Sequence, residues 1–186
     1  MNSRKILTYT HTILAAFFLP MGIMYAITGG LYGLDIKGGY ATTEHKLTLT
    51  QPLAADLPSL AAIVKTELES RKIDLPTGSA GVRKVGTSFS FEWSGTRRDI
   101  ELSPTADPLV ASLKIKDTSP HRFFVQLHKA KGATAFKWFA AVWMVGLVLL
   151  FLTGGILAIA AKPFRKVAIP AAVAGATVFV ILALVS

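Results

Sequence analysis

Long apolar stretches occupy both ends of the chain, and a region of mixed polarity separates them. The first stretch is Ile6 to Leu34, the second is Phe136 to Ala161, and the third is Val167 to Val185. A helix needs about 20 mostly apolar residues to cross a bilayer. The pattern therefore predicts three transmembrane helices in a lipid bilayer.

The middle region, from Asp35 to Thr118, has the pattern of a small α+β domain. Apolar residues between Leu57 and Lys72 recur with the spacing of one helix face. Four segments are predicted to be extended: Leu47 to Leu49, Val82 to Trp93, Asp99 to Leu102 and Leu109 to Ile115. We expect Ser94-Gly95-Thr96 to connect two of them as a hairpin. One helix packed on a small antiparallel sheet is the expected arrangement.

A second amphipathic segment, Ser119 to Thr134, precedes the second apolar stretch. It either continues into that stretch as one long helix, with Gly132 at a bend, or lies at the membrane interface. The predicted organisation has four parts: residues 1–34 with the first transmembrane helix, 35–118 with the domain, 119–161 with the amphipathic segment and second helix, and 162–186 with a turn and the third helix.

Basic residues flank the apolar stretches on one predicted side of the membrane. Arg4 and Lys5 precede the first stretch, and Lys162, Arg165 and Lys166 lie in the turn between the second and the third. Short cytoplasmic segments of membrane proteins are enriched in lysine and arginine. We therefore predict a cytoplasmic N-terminus, with the middle domain and the C-terminus across the membrane.

Charge and composition exclude several classes of function. The formal net charge is +9, but the basic residues are shared between membrane flanks and a middle domain that also holds the acidic residues. We therefore expect no nucleic-acid partner. The chain has no cysteine, which excludes disulfides, c-type haem attachment and thiolate metal sites. Motifs of hydrolases and phosphate-binding loops do not occur.

One short motif occurs twice, each time in a predicted transmembrane helix. Thr28-Gly29-Gly30 follows His11, and Thr153-Gly154-Gly155 follows His128. From the rise of an α-helix, these separations are about 25 Å and about 37 Å. Because the two helices are antiparallel, His128 is expected at the level of the first motif. For the same reason His11 is expected at the level of the second.

Two interpretations of this pairing remain open from the residues alone. Imidazole is a common axial ligand of haem iron, and a flat porphyrin needs a helix surface without protruding side chains. Alternatively, the small residues allow a neighbouring helix to approach closely, and the histidines form hydrogen bonds at the membrane interface. A histidine inside an apolar segment is costly unless it has a task. His121 and His45 are weaker candidates, since His121 shares a helix face with His128 and His45 lies in the domain.

The same residues resemble a known family. Leu127-His128-Lys129, Gly132 and the apolar helix ending at Leu152-Thr153-Gly154-Gly155 are similar to the second-helix signature of PepSY-associated transmembrane proteins. Arg4-Lys5, His11 and Thr28-Gly29-Gly30 are similar to the first-helix signature of that family. The helix and strands between them are compatible with a PepSY-like periplasmic domain. The resemblance implies one of the small, three-helix forms in a bacterial inner membrane.

This resemblance implies a reductase with non-covalent haem b that passes electrons to periplasmic ferric iron or a ferric chelate. Electrons would come from a donor on the cytoplasmic side or from a quinol. The residues implied in haem binding are the iron ligands His11 and His128, the porphyrin contacts Gly29, Gly30, Gly154 and Gly155, and the propionate partners Arg4, Lys5, Arg122 and Lys129. The alternative is a membrane-anchored accessory or inhibitory protein whose PepSY-type domain binds a periplasmic partner.

The positions of the two candidate ligands also predict a homodimer. His11 and His128 lie at opposite ends of antiparallel helices, separated by most of a hydrocarbon core about 30 Å thick. One chain therefore cannot place both on one iron. A two-fold axis along the membrane normal would bring each histidine to the depth of its symmetry mate.

Overall fold

The structure, a computed structural model, describes residues 3–86 and 88–186. The described elements, in chain order, are α1 (Ser3–Gly33), β1 (Tyr40–Thr48), α2 (Leu57–Ser70), β2 (Ala80–Val85), β3 (Ser88–Trp93), β4 (Arg98–Pro104), β5 (Val110–Thr118), α3 (Pro120–His128), α4 (Thr134–Ala160) and α5 (Lys162–Val185). They form two compact units, one containing the chain up to Gly22 and from Ala141 onward, the other containing Ile23–Ala140.

Three helices, α1, α4 and α5, are long and apolar enough to cross a membrane. Each coincides with one of the apolar stretches of the sequence, so the prediction of three such helices is confirmed. Large apolar side chains are exposed along all three, and α5 buries none of its residues. Exposed apolar surface of this extent is compatible with a lipid bilayer around the helices.

The five described strands form one antiparallel sheet in the order β1-β5-β4-β3-β2. Helix α2 buries Leu60, Val64 and Leu68 in the core of this sheet, where Phe91 and Leu113 are also fully buried. Burial of side chains of this size stabilises a domain by about 1.5–3 kcal/mol each. The prediction of one helix packed on a small antiparallel sheet is confirmed.

The ends of α2 follow from local chemistry. The carboxylate of Asp56 caps the first turn by accepting hydrogen bonds from the hydroxyl of Ser59 at 2.6 Å and from its backbone N–H at 3.0 Å. The hydroxyl bond, and then the backbone bond, hold the pKa of Asp56 below its usual value. Pro58 suits a first turn, where its missing N–H is not needed. The helix ends before Lys72, whose φ of 56° is left-handed.

Two predicted elements are different in the structure. The segment Val82 to Trp93 is not one strand but the β2–β3 hairpin, in which Val82 pairs with Phe91. The chain turns at Gly86, whose φ of 60° suits a residue without a side chain. The alternating pattern continues on both sides of this turn, and for that reason the segment resembles one strand.

The segment between β5 and α4 also differs from its prediction. Of the two predicted alternatives, the helix continuous with the second apolar stretch is wrong, because α3 ends at His128 and α4 begins at Thr134. A position at the membrane interface stays a prediction. Ala130 has a left-handed φ of 52°, which stops the helix. At Gly132 a Cβ atom would lie 3.2 Å from Cγ2 of Thr96, so the connection is closely packed against the β3–β4 loop.

Candidate functional site

The structure places His128 in a group of contacts with α1 that we call the His128 cluster (Tyr25, Thr28, Gly29 and His128). Nδ1 of His128 lies 2.7 Å from Oγ1 of Thr28. A Cβ atom on Gly29 would lie 3.2 Å from Cε1 of the same ring, so the imidazole rests directly on the helix backbone. The Tyr25 ring stacks on the imidazole with centroids 4.3 Å apart. One edge and one face of the imidazole are therefore fixed.

Local structure accounts for this position of His128. Ser119 caps α3 by accepting a hydrogen bond from the backbone N–H of Arg122 at 3.2 Å, and His128 is the last residue of this helix. On α1, the buried hydroxyl of Thr28 donates a hydrogen bond to the carbonyl oxygen of Met24 at 2.6 Å. This bond holds the threonine side chain against its own helix.

A cavity of about 350 Å³ adjoins the His128 cluster. Its lining residues are Thr28, Gly29, Tyr32, Val125, His128 and Lys129. The ammonium group of Lys129 lies 5.9 Å from the centre of the Tyr32 ring, and that of Lys37 lies 5.1 Å from it. The cavity thus combines one imidazole, the apolar side chain of Val125 and the cationic side chain of Lys129.

A second group of contacts, the His11 cluster (His11, Thr153 and Gly154), joins α1 to α4. Nδ1 of His11 lies 2.8 Å from Oγ1 of Thr153. The Thr153 hydroxyl donates to the carbonyl oxygen of Leu149 at 2.7 Å. A Cβ atom on Gly154 would lie 3.1 Å from Cε1 of His11. The imidazole therefore rests on Gly154 as His128 rests on Gly29.

The two clusters give each residue of the Thr-Gly-Gly motif its own environment. The threonine contacts Nδ1 of a histidine, and the first glycine provides space for the ring. At the second glycine, Gly30 or Gly155, an added Cβ would have no neighbour within 4 Å in the part of the chain that the structure describes. Among the described residues, Nε2 of His11 and of His128 has no hydrogen-bond partner.

The remaining histidines lie elsewhere and have other partners. Nδ1 of His45 lies 3.3 Å from Nη1 of Arg71. Nε2 of His121 donates to the carbonyl oxygen of Ile36 at 3.0 Å. Neither is part of the two clusters, so the structure groups only His11 and His128 with a Thr-Gly-Gly motif.

Three of the predicted propionate partners have defined surroundings. Lys129 lines the cavity beside His128. The guanidinium of Arg122 instead lies over the Tyr40 ring at 4.7 Å and donates to the carbonyl oxygen of Lys37 at 3.3 Å. The carbonyl oxygen of Arg4 accepts from the Thr8 hydroxyl at 2.9 Å. Lys129 is thus a basic residue that adjoins a cluster.

A buried polar network beneath α3 is a feature that the sequence pattern does not reveal. The fully buried Gln126 donates from Nε2 to Oη of Tyr40 at 3.1 Å and to Oδ2 of Asp99 at 2.9 Å. The Tyr40 hydroxyl donates to the same carboxylate oxygen at 2.7 Å. Burial and this hydrogen bond raise the pKa of Tyr40. Since Gln126 is two residues before His128, the network anchors the end of α3.

The contacts within the two clusters are the evidence for the chemistry of the site, because the comparisons with known proteins give none. No protein-family model, curated protein or solved structure matches the chain. The signal in the sequence is the repeated Thr-Gly-Gly motif with one histidine for each copy. The geometry adds that both histidines use the same ring nitrogen to contact the motif.

Proposed function

We propose that the chain is a haem b-binding oxidoreductase of a bacterial inner membrane that passes electrons to periplasmic ferric iron or a ferric chelate. The observation that carries the proposal is the pair of equivalent clusters around His11 and His128. In each, Nδ1 contacts a threonine hydroxyl, and Nε2 has no hydrogen-bond partner among the described residues. A histidine that binds a metal uses one ring nitrogen and has the other held by a hydrogen bond.

Three features of the clusters support haem as the cofactor. The candidate donors are imidazoles, and the absence of cysteine excludes a thiolate ligand from this chain. An added Cβ on Gly30 or Gly155 would meet no described atom within 4 Å, which is the kind of position where a flat ring could approach the helix. Lys129 beside His128 supplies a cation for a propionate. Haem, when bound, supplies one-electron chemistry, and the protein orients it and sets its potential.

The electron acceptor is proposed from the family resemblance and from the presence of a folded domain outside the three apolar helices. Reduction of ferric iron needs one electron for each ion and yields ferrous iron. The imidazoles of His11 and His128 would stay bound to the haem iron while electrons pass to the acceptor. A donor on the cytoplasmic side, or a quinol that releases two electrons and two protons, would replace the electrons.

A second candidate function is that of an accessory protein whose domain binds a partner. The domain has a groove of about 710 Å³ with both apolar and charged walls. Apolar side chains such as Leu75 and Phe123 line it together with Arg97, whose guanidinium lies 5.6 Å from the centre of the Phe123 ring. Such a groove suits a polypeptide or a chelate equally, and it does not depend on haem.

One preparation separates the two candidates. The full chain is purified in detergent from a bacterial host that makes haem, and the amount of haem b per chain is determined from its absorption spectrum. The reduced protein is then mixed with ferric citrate without oxygen, and ferrous iron is trapped by a chromogenic chelator. We expect a Soret band whose position returns to that of the oxidised protein as ferrous iron appears. Protein without haem would contradict the reductase and favour the accessory protein.

A further inference from the structure

The direction of the hydrogen bonds in the two clusters can be deduced from what each group is able to donate. A threonine hydroxyl has one proton. Thr28 Oγ1 lies 2.6 Å from the carbonyl oxygen of Met24, and Thr153 Oγ1 lies 2.7 Å from that of Leu149. A carbonyl oxygen can only accept, so each hydroxyl proton points to its own helix.

The hydroxyl oxygen therefore faces the histidine with lone pairs alone. The contacts of 2.7 Å at His128 and 2.8 Å at His11 are then hydrogen bonds donated by Nδ1. A neutral imidazole carries one proton on its two nitrogens. With this proton on Nδ1, the lone pair of the neutral ring lies on Nε2.

We propose that Thr28 and Thr153 are positioning residues that hold His128 and His11 as the Nδ1–H tautomer, so that Nε2 is presented as an electron-pair donor. This inference deepens the proposed function and rests on it only for the identity of the group that Nε2 binds. Each threonine also fixes the rotation of the ring, because the bond is combined with contact between Cε1 and the neighbouring glycine.

The other two histidines provide an internal contrast. The guanidinium of Arg71 can only donate, so Nδ1 of His45 is an acceptor and the neutral ring has its proton on Nε2. Nε2 of His121 faces a carbonyl oxygen and must also carry a proton. The four histidines of the chain therefore divide into two of each tautomer, and only the cluster histidines have an unprotonated Nε2.

The hydrogen-bond chain from Nδ1 through the hydroxyl to the helix carbonyl has a chemical consequence. A hydrogen bond donated by the ring nitrogen that does not bind the metal, here Nδ1, raises the basicity of the ligating nitrogen. It also holds the ring in the orientation needed for binding. Loss of such a partner typically lowers metal affinity by about 10- to 100-fold. Replacing one threonine should lower the affinity only at its own cluster, since each threonine contacts one histidine.

The test measures nitrogen protonation in protein that contains no haem. The full chain is produced in a haem-deficient host with ¹⁵N-labelled histidine, and its four ring spectra are assigned with single His→Gln variants at a pH where the rings are neutral. We expect His11 and His128 to show a protonated Nδ1, and His45 and His121 a protonated Nε2. An unprotonated Nδ1 in either cluster histidine would overturn the assignment for that cluster.

Matched variants separate positioning from a general effect on folding. Thr28→Val should remove the Nδ1–H signal of His128 and leave His11 unchanged, and Thr153→Val should do the reverse. Thr28→Ser keeps the hydroxyl and should keep the tautomer. Loss of the signal in both Thr28→Val and Thr28→Ser would overturn the role of the hydroxyl.

A titration with haemin distinguishes this inference from the proposed function. We expect Thr28→Val to lower haemin affinity by about 10- to 100-fold, and Thr28→Ser to restore it. If the tautomers are as stated but the wild-type protein binds no haemin, the positioning role is supported and the reductase proposal is contradicted. If haemin binds while Nδ1 is unprotonated in both clusters, the reductase proposal stands and the positioning role is overturned.

Discussion

Nδ1 of His128 lies 2.7 Å from Oγ1 of Thr28, although 100 positions separate the two residues in the sequence. The same relationship joins His11 to Thr153 at 2.8 Å, across 142 positions. Two independent histidines thus contact the same residue type in the same motif through the same nitrogen. This repetition is the strongest indication that the clusters have a common chemical role.

Replacing the first glycine of a motif should disturb its histidine. In Gly29→Ala the new methyl group would lie 3.2 Å from Cε1 of His128, so the ring must move by a few tenths of an ångström. We expect a lower haem-to-protein ratio at this cluster, measured from the absorption spectrum. Gly22→Ala is the matched control, because an added Cβ there has nothing within 4 Å. Equal loss in both variants would mean that the change acts through the helix and not through the ring.

The network around Gln126 should contribute to the stability of the domain. Gln126→Leu removes two hydrogen bonds, one of them to the carboxylate of Asp99. We expect a loss of about 1–3 kcal/mol in the free energy of unfolding, seen as a Tm that falls by about 4–8 °C for each kcal/mol. Circular dichroism of the full chain in detergent measures this change. Gln51→Leu, at an exposed position, should leave the Tm nearly unchanged, and a smaller effect at Gln126 than at Gln51 would refute the network's role.

The absence of cysteine makes topology directly measurable with single engineered cysteines. The predicted turn that holds Lys162, Arg165 and Lys166 is the start of α5 in the structure, since only Ala161 separates α5 from α4. These basic residues, together with Arg4 and Lys5, predict that the start of α5 faces the cytoplasm. An impermeant maleimide should therefore label Lys65→Cys in intact spheroplasts, and Lys166→Cys only after the membrane is permeabilised. Both positions are exposed. Labelling in the opposite order would contradict electron transfer toward a periplasmic domain.

The working unit is predicted to be a homodimer. Each cluster holds one histidine, whereas a six-coordinate haem needs two ligands on one iron, so a symmetry mate would supply the second. Light scattering corrected for bound detergent should give twice the 19.9 kDa of one chain. A monomer whose haem has a low-spin spectrum with two histidine ligands would defeat this prediction.

Features that depend on local composition could be predicted from the sequence. The three apolar helices follow from long stretches with almost no charged residues. The buried face of α2 follows from the spacing of Leu60, Val64 and Leu68. The pairing of each histidine with a Thr-Gly-Gly motif followed from the rise of a helix and the antiparallel order of two helices. None of these features depends on the orientation of a side chain.

Other features depend on contacts between distant residues or on single backbone angles. The β2–β3 turn rests on the left-handed φ of Gly86, which an alternating pattern does not reveal. Gln126 is 86 positions from Tyr40 and 27 from Asp99, so its burial could not be inferred from α3 alone. The role of the threonine hydroxyls was missed as well, since it depends on a side-chain rotamer that places Oγ1 between a carbonyl oxygen and an imidazole.

The central claim is that His11 and His128 bind haem iron, and replacement of each residue tests it most directly. The haem-to-protein ratio and spin state are measured for His11→Ala, His128→Ala and the double variant, with His45→Ala as the control outside both clusters. We predict that each cluster variant loses haem or changes spin state, that the double variant contains no haem b, and that His45→Ala matches the wild type. The reason is that His11 and His128 each have Nδ1 on a threonine hydroxyl and Nε2 available for iron, whereas Nδ1 of His45 contacts Arg71. Unchanged spectra in both His11→Ala and His128→Ala would contradict the assignment.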